Sequence, residues 1–580
     1  MLLLALDGLL LLFVSAGMGI CMLECLQKIF KQAVFANTLG VILAGLILSN
    51  IYFSIISFWL PVNYIALVPL VIISGFVFGN RATIAQQFIA SVKNQLQVVF
   101  SKPAIYAVVP VCLMLAYCWL LPPVNADSPG YHYATILWFE KYKVVPGLAN
   151  VDGRLAYNSA AFIIQSAFAF TNVFGQSVYP LNGLLVTLLF LWIVYRILKA
   201  ANIYKAIVYF LFLYLFNRVL LVNMSSPTSD VLLLVCLVYA IMQLFDALLY
   251  KRSAAYFLLP LVILLYAITA KLSAYPVLLL VPLILWHIRQ EQKTFMVLMR
   301  ISVIGVFIYL PWLCRNVILS GYLLYPVPFI DIFSFDWKAP KDLLLLDYTY
   351  IKRLPINFDD NMVRVAPPPF PHWVMPWVQR QLNSSMRSDL FIFFAAICSP
   401  LYWIFVWLGK AKIEKPVFYC WAILYTCVLV WLANVPEYRF GIIFIGFAFI
   451  MPFMYWASVG QWTVKLPAVF TVVLFVALSA YYVFTAAGNK NVYAFSLQRF
   501  LVYPLKDKQY YFNNDTATFN YTILNSGIRL YHQDSTHNCI NTSQPCMIWK
   551  YGVIEMRGQI LQDGFRNVRD DVGKNYPFVK

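Results

Sequence analysis

Residues 231–250 read Val231-Leu-Leu-Leu-Val-Cys-Leu-Val-Tyr-Ala-Ile-Met-Gln-Leu-Phe-Asp-Ala-Leu-Leu-Tyr250, with Asp230 before them and Lys251-Arg252 after. A helix of this length reaches about 30 Å, the thickness of a bilayer's hydrocarbon core. The basic pair at its end marks the side expected to face the cytoplasm. Similar runs recur along all 580 residues, which are 62% hydrophobic and 11% charged, with a mean hydropathy of +0.75. Soluble chains carry roughly 25% charged residues, so a soluble enzyme and a disordered chain are both excluded. The net charge of +18 is scattered in ones, twos and threes between apolar runs. Basic residues placed this way orient spans and form no nucleic-acid-binding stripe.

Working outward from 231–250, with Lys and Arg kept to one side, fourteen spans are predicted: 1–20, 37–58, 64–80, 104–121, 177–197, 206–224, 231–250, 256–270, 277–288, 300–318, 390–408, 416–434, 440–458 and 466–486. Both termini then face outward. Segment 1–20 has no basic n-region and precedes Lys28 and Lys31, so it is expected as a retained span and not a signal peptide. Residues 81–103 are expected as a cytoplasmic loop. Counting 158–174 as a span would put Arg196 and Lys199 outside, so that segment is read as a helix lying at the outer interface. The expected architecture is an all-α polytopic membrane protein. It has N-terminal transmembrane helices over 1–103, a transmembrane core over 104–486 with outer loops 122–176 and 319–389, and a small extracytoplasmic mixed α/β domain over 487–580.

Nine of the eleven cysteines lie in or beside spans, where the thiol acts as a small apolar group. Cys539 and Cys546 lie in the outer tail, where an oxidising compartment predicts a disulfide between them; two free thiols are the alternative. No zinc-type spacing and no Gly-x-x-x-x-Gly-Lys-Ser/Thr loop occurs.

The threading puts Asp127, His132, Arg154, Asp230, Lys271, Arg315, Asn316, Glu437 and Arg439 at outer span ends or in outer loops. Ionisable groups at span ends are often interfacial anchors, but together these outline a polar, partly cationic cavity at the outer surface. Asp127 stands in Pro122-Pro-Val-Asn-Ala-Asp127-Ser-Pro-Gly-Tyr131-His132-Tyr133, placed to take a proton from an attacking hydroxyl. The alternative is an Asp that caps the helix beginning near Tyr131. Arg315, Arg439 and Lys271 come from three spans and form a candidate phosphate clamp, because guanidinium groups bind phosphate oxygens bidentately. Anchoring, or pairing with Asp230 and Glu437, is the alternative for each. No Asp-x-Asp motif is present, so no obligatory metal is predicted, although Asp152 or Asp336 could supply a further ligand to a divalent ion.

Taken in order, these segments resemble the GT-C superfamily of polyprenyl-phosphate-sugar-dependent glycosyltransferases, which includes protein O-mannosyltransferases and lipid A aminoarabinose transferases. The resemblance is carried by Asp127-Ser-Pro-Gly-Tyr-His-Tyr, Ser226-Pro-Thr-Ser-Asp230, Thr269-Ala-Lys271-Leu-Ser, Pro311-Trp-Leu-Cys-Arg315-Asn316, Ser320-Gly-Tyr-Leu-Leu-Tyr325-Pro326 and Pro436-Glu437-Tyr-Arg439-Phe-Gly. It extends to a Bacteroidota membrane-protein branch whose tails carry an element like Cys539…Pro545-Cys546, and it covers most of 104–580, with the first three spans as an addition. It implies an inverting transferase of the bacterial inner membrane, working on the periplasmic face. Asp127 would be the base, Arg315, Arg439 and Lys271 would contact the donor phosphate, and the acceptor would be a glycan, lipid or protein hydroxyl. Tyr131 and His132 would position substrate. Arg154, Asn316, Glu437 and Tyr325 would also position substrate, and loop 319–389, with Tyr325, Asp336 and Trp337, together with the tail, would shape the acceptor site. Expected partners are the lipid-linked sugar and membrane lipids, with no nucleic acid and no assured cofactor. A lipid-linked glycan flippase and a catalytically inactive scaffold subunit are the competing expectations; a transporter places polar residues near the midplane, often in internal repeats.

Overall fold

The computed structural model describes residues 2–80, 83–102, 104–120, 123, 125, 127–175, 177–357, 371–383, 387–409, 413–460, 519–533, 546–547 and 553–568. The expected span 466–486 and Cys539 lie outside the described residues. In chain order the helices are α1 (Leu2–Phe30), α2 (Thr38–Ile56), α3 (Tyr64–Gly79), α4 (Thr83–Val99), α5 (Ile105–Leu120), α6 (Tyr133–Lys141), α7 (Ala160–Ala167), α8 (Thr171–Phe174), α9 (Leu181–Leu198) and α10 (Ile203–Val222). They continue as α11 (Asp230–Leu249), α12 (Ala255–Ala270), α13 (Val281–Ile288), α14 (Thr294–Ser320), α15 (Lys341–Asn357), α16 (Val374–Asn383), α17 (Arg387–Ile397), α18 (Ser399–Leu408), α19 (Lys415–Asn434) and α20 (Tyr438–Val459). Among the described residues, seven helices are long and apolar enough to cross a membrane: α1, α2, α9, α11, α14, α19 and α20. The expected span 390–408 is bent by 50° between α17 and α18, where Pro400 removes a helical hydrogen-bond donor. The segments expected to cross at 104–121, 206–224, 256–270 and 277–288 form shorter apolar helices.

Helix α11 is the centre of the bundle, with nearly all its side chains buried, whereas α14 leaves most of its apolar length facing outward. An apolar helix exposed over such a length belongs against lipid. Helices α1 and α2 approach through glycines. A Cβ on Gly45 would lie 1.7 Å from the Ser15 carbonyl oxygen, and one on Gly19 would lie 1.9 Å from that of Val41. Small residues permit this backbone-to-backbone contact, which supplies packing where lipid gives no hydrophobic drive. Gly45→Leu is expected to force the helices apart and to cost at least ~1–3 kcal/mol. Thermal unfolding in detergent reads this directly. Gly75→Leu, at a position where a Cβ meets nothing within 4 Å, is the neutral control.

Three local readings change. Residues 83–99, expected as loop, form α4, which packs on α9 and α2. The segment 158–174 breaks into α7 and α8 around Phe170, which has a left-handed backbone (φ 49°). Helix α7 is wholly buried, so it belongs to the protein interior and not to the membrane interface. The first helices are an integral layer, because Val62 N–H donates to the Phe139 carbonyl (2.8 Å) and Val144 N–H to that of Ser57 (2.8 Å).

In the tail, β1 (Phe519–Ile523) pairs antiparallel with β2 (Arg529–Gln533), and β3 (Cys546–Met547) pairs parallel with β2. Strands β4 (Ile554–Met556) and β5 (Phe565–Asn567) form an antiparallel pair. Cys546 is buried. The second hairpin is tied to the polar end of the bundle: Phe565 N–H donates to the Pro146 carbonyl (2.9 Å), and the Arg557 Nε donates to Asp336 (2.7 Å). Asp336 is thus paired with a tail arginine.

Candidate functional site

One end of the bundle gathers the C-terminal ends of α10, α12 and α14 and the N-terminal ends of α9, α11 and α20. Asp127 opens a π-helical turn, Ser128–His132, that runs into α6; such turns redirect side chains at functional sites. Its amide is held by Asn125 Oδ1 (3.0 Å), and Asn125 Nδ2 donates to Asn223 Oδ1 (2.9 Å). The Asp127 carboxylate caps no helix. It accepts instead from Arg439 Nη1 at 2.7 Å, across 312 residues of sequence.

Arg439 sits in the first turn of α20, with its Nε 3.6 Å from Glu437 Oε1. Lys271, just past α12, is ion-paired with Asp230 at the start of α11. The Phe440 ring unites the two cations: Lys271 Nζ is 4.2 Å and Arg439 Cζ 5.2 Å from its centroid. The aromatic face stabilises both charges. Phe440 was not singled out by sequence reasoning, since an aromatic at a span end reads as part of an interfacial belt. The pairing alternative therefore holds for Lys271, while Arg439 serves Asp127 and Glu437 at once.

Electrostatics follow from these contacts. Burial pushes the Asp127 carboxyl up, but Arg439, His132 and Lys271 outweigh it and hold the group at about 2. Glu437 moves the other way, because burial raises it more than Arg439 and Lys271 lower it. His132 is 1% exposed, and burial pushes its imidazole down to about 4 against the pull of Asp127 and Asp230; it is neutral at pH 7. Its Nδ1 lies 3.4 Å from Ser128 Oγ, which hydrogen-bonds Ser226 Oγ. The Ser226–Asp230 turn is fixed in turn by Asn182, whose Nδ2 donates to the carbonyls of Ser226 (2.6 Å) and Thr228 (2.8 Å), and by Gln165. An ordinary His titrates near ~6.5, so as pH falls the unfolded chain takes up this proton first. The stability His132 contributes is complete above about pH 6.5 and is lost as pH falls toward 4. His132→Gln is expected to flatten the drop in unfolding temperature between pH 7 and 4.5.

The remaining expected residues divide. Tyr131 packs edge-on against Tyr157 (5.6 Å between centroids), and the Arg154 guanidinium lies 5.7 Å from its ring. Arg154 is itself held bidentately by Asp152, so Asp152 is also engaged. Arg315 stands apart from Lys271 and Arg439. It is 1% exposed, donates through Nε to Asn158 Oδ1 (2.9 Å) and through Nη1 to Ser57 Oγ, and stacks over Phe139. Among the described residues its Nη2 has no hydrogen-bond partner and no carboxylate pairs with it. Asn316 belongs to the same network, accepting from Asn158 Nδ2 (3.0 Å). Of the three cations expected as a phosphate clamp, the structure brings Arg439 and Lys271 together on Phe440 and leaves Arg315 among uncharged partners, Asn158, Ser57 and Phe139.

Tyr325 donates to Asp347 Oδ2 at 2.7 Å, and Gly153 leaves room for both, since a Cβ there would lie 2.1 Å from Asp347 Oδ2. Burial pushes the Asp347 carboxyl up to about 7 against the Tyr325 hydrogen bond. Asp347 was missed by sequence reasoning. Its signal was a carboxylate closing the run Leu343-Leu-Leu-Leu346 inside the outer loop. Among the described residues no three His, Cys, Asp or Glu side chains group so as to hold a metal ion.

Residues 1–446 match a family model described as Domain of unknown function (DUF8201). No curated protein and no solved structure matches the chain.

Proposed function

We propose that this chain, which belongs to the family described as Domain of unknown function (DUF8201), transfers a sugar with inversion from a polyprenyl-phosphate carrier to an acceptor hydroxyl. The observation that carries the reading is the Asp127–Arg439 ion pair at 2.7 Å, with Lys271 beside it on the Phe440 ring. A carboxylate and two cations from separate helices meet at one end of an apolar bundle, where a lipid tail can lie among the spans while its headgroup reaches polar groups.

In this reading the donor phosphate takes Arg439 and Lys271 in place of their carboxylate partners. Asp127, released from Arg439, gains basicity and accepts the proton of the acceptor hydroxyl. The hydroxyl oxygen bonds to the anomeric carbon, the bond from that carbon to the phosphate oxygen breaks with its electron pair, and polyprenyl phosphate departs. Arg439 and Lys271 stabilise the charge that develops on the leaving oxygen. Arg315 holds Asn158, and through it the segment carrying Tyr157 against Tyr131, as a positioning residue. The acceptor lies on the side of Tyr325 and loop 319–389. The finer assignments belong to this proposal too: fourteen spans, an extracytoplasmic tail with a Cys539–Cys546 disulfide, and a bacterial inner membrane with the site facing the periplasm.

A transport reading would draw on Asp7, buried in α1 with no hydrogen-bond partner for either oxygen among the described residues. Asp7 lies one residue from Gly8, which touches Trp119 at the polar end of α5, and not at mid-bundle. Native mass spectrometry of the purified chain tests the donor class. A polyprenyl-phosphate sugar should be retained and free polyprenyl phosphate should compete for the same site; retention of lipid-linked glycans only through their sugar, indifferent to the phosphate, would contradict the proposal.

A further inference from the structure

At the end of the bundle opposite Asp127, the end of α1 and the start of α14 enclose a cleft of about 390 Å³. Helix α14 has 27 residues, about 40 Å at 1.5 Å per residue, so the cleft sits at the other membrane interface from the site above. Lys31, Lys293 and Arg300 line it, with Glu291 as the acidic member.

The carboxylate is spent locally. Glu291 Oε1 accepts the Ala254 amide (3.0 Å) and Oε2 accepts from Gln32 Nε2 (3.0 Å). A chain of amides then separates it from the guanidinium: Gln292 donates to Gln32, and Arg300 Nη1 donates to Gln292 Oε1 (2.9 Å) and to the Phe30 carbonyl (3.2 Å). Arg300 is thereby oriented by neutral acceptors, with no carboxylate paired to it among the described residues. Lys31 is held in a left-handed backbone (φ 53°), a conformation that costs energy for a residue with a Cβ and persists only where its surroundings enforce it.

Three cations against one engaged carboxylate leave the cleft positive. The charge also has the wrong sign for its place, because Lys293 is the N-cap residue just before α14 and no acidic residue occupies the first turn. A helix N-terminus favours an anion. The apolar wall decides which anion. Met296 lines the cleft and, with Phe295, is exposed (41% and 76%), on the outward-facing surface of α14. A soluble anion gains nothing from that wall, whereas a molecule with a charged head and acyl chains contacts both.

We propose that this cleft binds the phosphoryl headgroup of an anionic membrane lipid, with Arg300, Lys293 and Lys31 around the phosphate and the acyl chains along the first turns of α14. Basic pockets between helices at a membrane interface are suited to such headgroups. The site is independent of the sugar-transfer reading and stands or falls separately.

The test is native mass spectrometry of the full-length protein released from nanodiscs of phosphatidylglycerol mixed equally with phosphatidylcholine. Phosphatidylglycerol is expected to be retained preferentially, with occupancy falling about five-fold for each charge removed in Arg300→Gln and Lys293→Gln. Glu291→Gln keeps the side chain's shape and one acceptor oxygen, enough for the Ala254 amide, and removes the opposing charge, so it is expected to raise retention, a gain that misfolding cannot produce. Equal retention of the two lipids by the wild type, unchanged retention in all three variants, or displacement of the lipid by millimolar inorganic phosphate would each overturn the proposal, the last by making free phosphate the ligand.

Discussion

Asp127→Asn is expected to lower sugar transfer by about 10²–10⁴-fold, the range over which a positioned general base contributes, while the protein accumulates and unfolds normally. Asn keeps the size of the side chain and can still accept from Arg439 Nη1, so the contact at 2.7 Å survives in weaker form. What disappears is the ability to take a proton. Because the carboxyl caps no helix, the loss cannot be attributed to an unravelled α6. Measured on purified protein in proteoliposomes, the loss should fall on kcat with little change in KM for the donor. A large rise in KM at constant kcat would make Asp127 a binding residue only.

Arg439→Gln carries the second large effect, and here donor binding and catalysis should fail together. One guanidinium serves Asp127 in the resting protein and the phosphate during reaction, so its removal costs an interaction present before and during bond cleavage. A charge-assisted contact of this kind is worth about 2–4 kcal/mol when removed, or roughly 30- to 1,000-fold in kcat/KM. Arg439→Lys should rescue poorly, since an ammonium cannot reproduce the planar fork that reaches a carboxylate or phosphate bidentately. The pH profile adds a signed prediction. Arg439 is the chief influence holding Asp127 at about 2 against its burial; without it the carboxyl rises, and the acidic limb of any remaining activity moves to higher pH. An acidic limb unmoved in Arg439→Gln would separate the two residues functionally.

The polar end of the molecule was legible because ionisable residues are costly near hydrocarbon, so Asp127, Lys271 and Arg439 stood out against their apolar surroundings. Charge alternation then put them on one side, and the folded chain brings these three together. Distances within that end were not legible. Arg315 carries the same chemistry at a similar span end as Arg439, yet α14 delivers it to Asn158 and Ser57, a difference set by helix rotation and tilt that hydropathy does not encode. Asp347 escaped notice because its burial depends on Tyr325 and Gly153, contacts created only when loop 319–389 folds over the bundle. The reading of 158–174 as one interfacial helix failed for a local reason: Phe170 leaves the helical region, and composition gives no warning of that. Residues 83–99 read as a loop because Arg81, Lys93 and Lys102 mark a cytoplasmic connection between spans, whereas basic residues between spans do not preclude a helix, and Gln and Lys are good helix formers.

The central claim is that this chain moves a sugar from a lipid carrier. Its most direct measurement is mass spectrometry of envelope glycans and lipid-linked sugars in cells lacking the gene, complemented with wild type or with Asp127→Asn at equal expression. One glycan is expected to disappear, its polyprenyl-phosphate sugar to accumulate, and only the wild type to restore the glycan. Full restoration by Asp127→Asn, or a deletion that leaves every glycan and carrier unchanged, would contradict it.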